Sequence, residues 1–265
     1  MTRNDYLNMN QSERRIYLIR SLLQEQPEYR DMAVPTSANE QRMLLRGLMN
    51  IRTPGQVGAD FLHVQDEYLQ GETAAKGITD AADLIPLRSK LCLWQGDITT
   101  LKCDAIVNAA NSGMTGCYVP NHRCIDNAIH TFAGVELRQY CEELMERQGY
   151  PEPAGRAKIT PAFNLPCRYV MHTVGPIVGD RVTKRDEEML ASCYRSCLEL
   201  AAENGLESVA FCCISTGEFH FPNDLAAELA VHTVTDFLQR STSIQKVIFN
   251  VFKDTDKTIY ERLLR

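Results

Sequence analysis

The sequence has little of what membrane, secreted or nucleic-acid-binding proteins need. No apolar run among its 265 residues approaches the roughly 20 residues that a membrane-spanning helix requires. The first ten residues are polar and lack the apolar core of a secretory signal. A net charge of −6, a single tryptophan and the absence of a Lys/Arg stripe disfavour nucleic acid as a partner. We therefore expect a cytoplasmic protein that has neither a membrane nor a nucleic-acid partner.

Cysteine is plentiful, with ten in the chain, whereas 44% hydrophobic and 23% charged residues are typical of a globular protein. A chain of this length can build an apolar core without a disulfide framework. Five cysteines lie in apolar or helical surroundings, and we interpret them as reduced thiols of the core. They are Cys92, Cys193, Cys197, Cys212 and Cys213.

The chain divides into two regions of different pattern. Residues 1–85 favour helices, predicted over 14–24, 36–48 and 59–69, followed by a small and polar linker over 71–83. We predict that this region is a helical extension and linker that precedes a domain over 86–265. The extension either recognises a carrier protein or packs its apolar helix faces on the rest of the chain.

From residue 87 onwards, short β-rich runs alternate with helical stretches. Strands are predicted over 91–94, 105–107, 169–174, 209–213 and 246–251. Helices are predicted over 124–133, 135–147, 186–204, 223–239 and 256–263. This alternation predicts an α/β domain whose sheet is covered on both faces, with ligands beyond the carboxyl ends of its strands.

Polar segments follow four of these strands. They are Gly96-Asp97-Ile98-Thr99, Asn108-Ala109-Ala110-Asn111, Ser215-Thr216-Gly217-Glu218-Phe219 and Phe252-Lys253-Asp254. Each segment alone is also compatible with an ordinary turn or helix cap. Together and in this order they resemble the macrodomain family over residues 87 to 265. The resemblance implies a three-layer α/β/α fold with a mixed, mostly parallel sheet that binds ADP-ribose.

The resemblance also implies roles for single residues. Asp97 would accept a hydrogen bond from the adenine amino group, with the Ile98 backbone beside it. Asn111 would bind the distal ribose. Backbone N–H groups of Ser215, Thr216, Gly217, Glu218 and Phe219 would hold the diphosphate. Phe252 would pack against adenine or in the core, and His220 stands where the family has a second glycine.

A segment after Asn111 carries three residues that zinc prefers. Cys117, His122 and Cys124 supply two thiolates and an imidazole within eight residues. Three protein ligands leave a fourth position open for water or substrate, as in catalytic zinc sites. Two alternatives remain at this point, namely chance cysteines beside a surface histidine and a structural zinc that only holds the loop.

This segment also resembles the zinc-dependent branch of macrodomains known from bacteria and some fungi. Many macrodomain hydrolases carry glycines here, followed by Asp-Gly-x-Ile-His, whereas this chain reads Asp126-Asn127-Ala128-Ile129-His130. The resemblance makes Asp126 a catalytic residue that orients water or the distal ribose, together with Asn111. We interpret His130 and His172 as structural residues.

The resemblance implies an activity as well. We expect one zinc ion per chain and a hydrolase that removes ADP-ribose from modified proteins, reversing mono-ADP-ribosylation at Asp or Glu side chains by cleaving a glycosidic ester. The zinc branch is also associated with lipoyl-carrier proteins modified by sirtuin-type transferases. The alternatives are a reader that binds ADP-ribose without turnover and an esterase that deacetylates O-acetyl-ADP-ribose.

Overall fold

Three helices precede the sheet in the computed structural model, which describes residues 8–240 and 242–265. They are α1 (Gln11–Glu25), α2 (Ala38–Ile51) and α3 (Ala59–Lys76). Their inward faces share one apolar cluster, which confirms the predicted helical character of this region. The cluster includes Leu18, Ile19, Leu22, Leu45, Phe61, Val64 and Tyr68. Residues 1–7 of the predicted extension lie outside the described residues.

The predicted linker over 71–83 was wrong over residues 71–76, which are helical. Helix α3 continues to Lys76 and ends at Gly77, whose φ of +89° suits glycine. The reason is tertiary, because Thr73 is buried and Glu72 forms an ion pair with Arg42 of α2. The chain then forms the short strand β1 (Thr79–Asp80) and a single 3-10 turn over Ala81–Asp83.

Six strands form the central sheet, and the two-residue strands β1 and β3 form a separate pair. In chain order the strands after β1 are β2 (Leu91–Gln95), β3 (Leu101–Lys102), β4 (Ala105–Ala110), β5 (Ala157–Pro161), β6 (Tyr169–Val174), β7 (Ser208–Phe211) and β8 (Lys246–Val251). The sheet order is β2-β8-β7-β4-β6-β5, and β1 pairs only with β3. All neighbours in the sheet are parallel except β5, which is antiparallel to β6. The expected mixed, mostly parallel sheet is thereby confirmed.

The predicted strands and helices after residue 87 are confirmed, with ends that shift by a few residues, but β5 was not predicted. Its sequence ends in Pro161, a residue that interrupts central strands and that the edge of a sheet tolerates. The helices are α4 (Ile125–Ala133), α5 (Val135–Gln148), α6 (Lys184–Glu203), α7 (Asn223–Leu238) and α8 (Asp254–Leu264).

Helices α6, α7 and α8 pack side by side as one layer, while α4 and α5 belong to the other, so the three-layer α/β/α fold is confirmed. All ten cysteines are free thiols. Cys92, Cys193, Cys197 and Cys212 are buried as predicted, and Cys213 is partly buried. Within the described ranges, no helix has both the length and the apolar character to cross a membrane.

Candidate functional site

The loop between β4 and α4 brings the three predicted metal ligands together. The ligand atoms of Cys117, His122 and Cys124 all lie within 4.8 Å of one another, and the side chains are partly buried. Cys117 Sγ is 3.7 Å from His122 Nδ1. We call residues 117–124 the metal loop. Its two thiols and one imidazole form a group of the kind that binds zinc.

The surroundings of the thiols fit a bound cation. Cys124 caps the N-terminus of α4, where its Sγ accepts the backbone N–H of Asn127 at 3.4 Å. Burial raises the pKa of the Cys124 thiol, and the neighbouring Cys117 adds to this increase. Two thiolates this close repel each other, and a divalent cation between them removes that repulsion. The donor set therefore fits a metal that prefers sulfur and nitrogen ligands.

The metal loop also lies close to the predicted phosphate-binding loop. His122 Nε2 is 3.5 Å from Glu218 Oε1, while the other ring nitrogen faces Cys117. A carboxylate beside the second nitrogen is the arrangement that orients metal-binding histidines. The segment 215–219 and the metal loop therefore border the same space.

The predicted catalytic residues Asn111 and Asp126 lie in contact. Asp126 is 5% exposed, and its two oxygens accept hydrogen bonds from Asn108 Nδ2 at 2.8 Å and Asn111 Nδ2 at 3.2 Å. Burial raises the pKa of Asp126 to about 6, although both amides oppose the increase. Asn111 Nδ2 also donates to the carbonyl of Gly116 at 3.1 Å, next to Cys117. The carboxylate is thus held beside the start of the metal loop.

The predicted phosphate-binding loop is a tight turn after β7. The Phe221 N–H donates to the Ser215 carbonyl at 2.9 Å, and the Phe219 carbonyl accepts from Val178 N–H at 2.9 Å. Ser215 Oγ is buried and has no hydrogen-bond partner among the described residues. His220 has a φ of +57°, in the left-handed region that glycine adopts at least cost, and its side chain is exposed. Thr216, Gly217 and Glu218 are part of this turn.

The predicted adenine end contains an unexpected lysine. Asp97 caps the 3-10 turn Ile98–Thr100, accepting from Thr99 N at 3.0 Å and Thr99 Oγ1 at 2.6 Å. Burial acts to raise its pKa, but Thr99 and Lys76 outweigh burial and lower it. Lys76 Nζ of α3 is 3.0 Å from Asp97 Oδ2.

Two neighbouring side chains complete the picture of this end. Ile98 buries its side chain in the core, which leaves its backbone beside the Asp97 carboxylate. Phe252 is 76% exposed, which excludes the core alternative for its ring.

The two histidines interpreted as structural are both buried. His172 lies between Asn108 Nδ2, 3.1 Å from its Nδ1, and Thr160 Oγ1, 3.0 Å from its Nε2. His130 packs against Gly116, where an added Cβ would be 2.7 Å from the His130 ring. His130 Nε2 also lies 3.6 Å from Asp126 Oδ1. The structural interpretation of the two histidines stays a prediction.

Sequence reasoning missed the residues that hold the metal loop from outside. Asn127 binds Cys117 and Val119 carbonyls, and Arg46 of α2 binds Asn127 and His122. Asn127 stands where the family pattern has glycine, and that departure was a signal for its role. Arg46 gave no local signal, because its partner Asn127 is 81 positions away in the chain.

Comparison with known proteins identifies the family of this chain. The family model "Macro domain" matches residues 107–230. A protein-ADP-ribose hydrolase of Treponema medium is 56% identical over 260 residues, covering 97% of this chain and 100% of that protein. A protein-ADP-ribose hydrolase of Staphylococcus aureus (strain MSSA476) is 48% identical over 247 residues, with 92% of each chain covered.

A solved structure agrees with the fold. The Oceanobacillus iheyensis macrodomain with ADP matches at a TM-score of 0.61 and 37% identity, over 68% of this chain and 93% of that one. The similarity over nearly the full length of curated relatives exceeds what fold alone would produce. The chain therefore belongs to the macrodomain family and is a hydrolase of that family.

Proposed function

We propose that this chain is a zinc-dependent hydrolase that removes ADP-ribose from modified proteins, with an ester to Asp or Glu as the bond that it cleaves. The observation that carries the proposal is that Cys117, His122 and Cys124 lie together in one loop. Asn111 and Asp126, which contact each other, flank that loop in the sequence. The printed names of the Treponema and Staphylococcus relatives support removal of ADP-ribose. Zinc and the linkage are the parts that this proposal adds.

The chain's own residues would share the work as follows. Cys117, His122 and Cys124 would hold zinc, which when bound supplies a Lewis acid at the distal-ribose end of the site. Asp126 is fixed by two amides and would orient the distal ribose or the attacking water. Asn111 Nδ2 donates both to that carboxylate and to the Gly116 carbonyl, so Asn111 would hold Asp126 next to the metal loop while its side chain contacts the distal ribose.

The remainder of the site would hold the nucleotide. Asp97 is ionised near neutral pH because Thr99 and Lys76 keep its pKa low, so it would accept from the adenine amine. The backbone of Ile98 would lie beside the adenine ring, and the exposed ring of Phe252 is free to pack on it. The turn from Ser215 to Phe219 would bind the diphosphate through main-chain N–H groups, which hold anions without a positive side chain.

The decisive test pairs metal content with turnover. We expect about one zinc per chain, as structural and catalytic zinc sites bind single ions. Release of ADP-ribose from an Asp/Glu-modified protein should stop on chelation and return with zinc. ADP-ribose binding without zinc and without turnover would instead establish a reader. Faster cleavage of O-acetyl-ADP-ribose than of modified protein would establish the small-molecule esterase.

Two finer expectations belong to the same proposal. We propose that the modified substrate is a lipoyl-carrier protein that a sirtuin-type transferase has modified, and comparing release from such a carrier with release from an unrelated modified protein tests this. We also propose a cytoplasmic location, which ten free thiols support because reducing compartments keep thiols from pairing. Cell fractionation tests that location.

A further inference from the structure

One face of α2, in the N-terminal extension, packs against the metal loop. Asn50 Oδ1 accepts the Asn121 N–H at 2.9 Å, and Asn50 Nδ2 donates to Thr131 Oγ1 of α4 at 3.0 Å. One turn earlier, a Cβ on Gly47 would be 3.2 Å from Asn121 Nδ2, so the loop lies directly on the helix backbone. The metal loop therefore packs on α2, although Asn50 and Asn121 are 71 positions apart in the chain.

Arg46, on the same face, contacts the metal loop and the helix that follows it. Its Nη2 donates to the His122 carbonyl at 2.9 Å and to Asn127 Oδ1 at 2.8 Å, and its Nε donates to Asn127 Oδ1 at 3.1 Å. The ion pairs of the described residues include none between Arg46 and a carboxylate. Burial lowers the pKa of Arg46, and the nearby Cys124 and Asp97 act in the opposite sense. Among the described residues, the hydrogen bonds of its guanidinium nevertheless all go to the metal loop and to Asn127.

Asn127, which Arg46 contacts, also forms hydrogen bonds with Cys117 and Cys124. Its side chain is fully buried, and its Nδ2 donates to the Val119 carbonyl at 3.0 Å and to the Cys117 carbonyl at 3.5 Å. Its backbone N–H donates to Cys124 Sγ at 3.4 Å. Arg46 and Asn127 together thus contact Cys117, His122 and Cys124.

A second arginine holds the end of the helix to the same loop. Arg138 Nη1 of α5 donates to the carbonyls of Asn50 and Arg52, both at 2.6 Å. Its Nη2 is 3.5 Å from the Cys117 carbonyl. The position of α2 relative to the metal loop is therefore set at both ends of the contact.

We propose that the N-terminal extension forms the outer wall of the metal site and that Arg46 is its positioning residue. Arg46 holds the His122 backbone directly and holds Cys117 and Cys124 through Asn127. The inference rests on the proposed zinc site, and it assigns to the extension a part in metal binding in addition to packing.

Zinc affinity of the full chain tests the inference, measured by competition with a chromophoric chelator. Arg46→Ala should weaken zinc binding about 10- to 100-fold, the range for residues that orient metal ligands from outside. Arg46→Lys should recover only part of the loss, because one ammonium cannot replace the two-sided guanidinium contact. Arg42→Ala is the matched control. Arg42 lies on the same helix as Arg46, but its ion pair is with Glu72 of α3 and not with the metal loop.

A second readout needs no metal. In the metal-free chain, backbone amides of residues 117–124 should exchange with solvent faster in Arg46→Ala than in Arg42→Ala or the unmodified protein. If the unmodified chain binds no zinc, the proposed function fails, and this exchange measurement still decides whether Arg46 orders the loop. Equal zinc affinity and equal exchange for Arg46→Ala and Arg42→Ala would overturn the inference. Arg46→Lys keeps the helix charge and is the variant to compare should Arg46→Ala unfold.

Discussion

The guanidinium of Arg46 and the side-chain carbonyl of Asn127 are 2.8 Å apart, although 81 positions of chain separate the two residues. This contact fixes which way the Asn127 amide points, because Oδ1 faces the cation and Nδ2 faces the carbonyls of the metal loop. Position 127 thus requires one acceptor and one donor at once. The asparagine amide supplies both, with Oδ1 as acceptor and Nδ2 as donor.

The first prediction concerns this requirement. Asn127→Asp should weaken zinc binding about tenfold or more, because a carboxylate cannot donate to the Cys117 and Val119 carbonyls and repels them. Chelator competition measures the change. Asn204→Asp is the control, since Asn204 also donates to a carbonyl, that of Leu200, but on the surface at the end of α6. Unchanged zinc affinity in Asn127→Asp would contradict the role of the amide.

The second prediction concerns Gly116, which precedes the metal loop. Gly116 has a φ of +85°, and a Cβ there would be 2.7 Å from the buried His130 ring. Gly149 has a φ of +76° with open space around it, so Gly149→Ala carries the backbone strain alone. Gly116→Ala should therefore lower the free energy of unfolding by about 1–3 kcal/mol more than Gly149→Ala. Urea denaturation of both variants measures the difference, and equal losses would show that the His130 ring moves aside without cost.

The third prediction concerns nucleotide recognition at Asp97. Asp97→Asn should reduce ADP-ribose affinity about tenfold, because the amide offers a donor toward the adenine amine and removes the charge. Titration calorimetry measures the loss. Asp80→Asn is closely matched, since Asp80 also caps a 3-10 turn and pairs with a lysine, Lys102, at 2.8 Å. A similar loss in both variants would point to folding and not to recognition.

The fourth prediction is a loss of stability in acid that His172 causes. Burial lowers the pKa of His172 to about 3 from 6.5, so between these values the unfolded chain binds a proton that the native ring does not. The stabilising contribution is complete above pH 6.5 and decreases as the pH falls. Between pH 7.5 and 5.5 the unfolding free energy should lose about 1.4 kcal/mol through this residue.

Urea titrations of His172→Asn at the two pH values isolate this contribution. The variant should lose about 1.4 kcal/mol less than the unmodified protein. The comparison cancels other groups, among them Asp126, whose raised pKa acts in the opposite sense. His232→Asn is the control, because the His232 side chain is 76% exposed on α7. The prediction fails if the two variants show the same dependence on pH.

Sequence patterns were sufficient where the deciding interactions are local. The alternation of strands and helices after residue 87 follows from apolar periodicity, and the structure confirms it. The proposed metal ligands lie within eight residues of one another, so a single loop could unite them without long-range information.

Local patterns failed where a distant partner decides. Residues 71–76 look like a polar linker, yet they are helical because Thr73 is buried and Glu72 pairs with Arg42. Strand β5 ends in a proline and was missed, because only its place at the sheet edge permits that residue. In both segments the tertiary contact outweighs the local preference.

By itself, the sequence determined the alternation of strands and helices and brought the three proposed metal ligands into one loop, since periodicity and short spacing are properties of neighbouring residues. The macrodomain fold followed from the resemblance of its loop motifs to that family. Only the tertiary structure decided that α2 contacts residues 117–124 and that Lys76 reaches Asp97. Such contacts depend on how whole helices pack on the sheet. The hydrogen bond between Arg46 and Asn127, 81 positions apart, leaves no trace in the local sequence around Arg46.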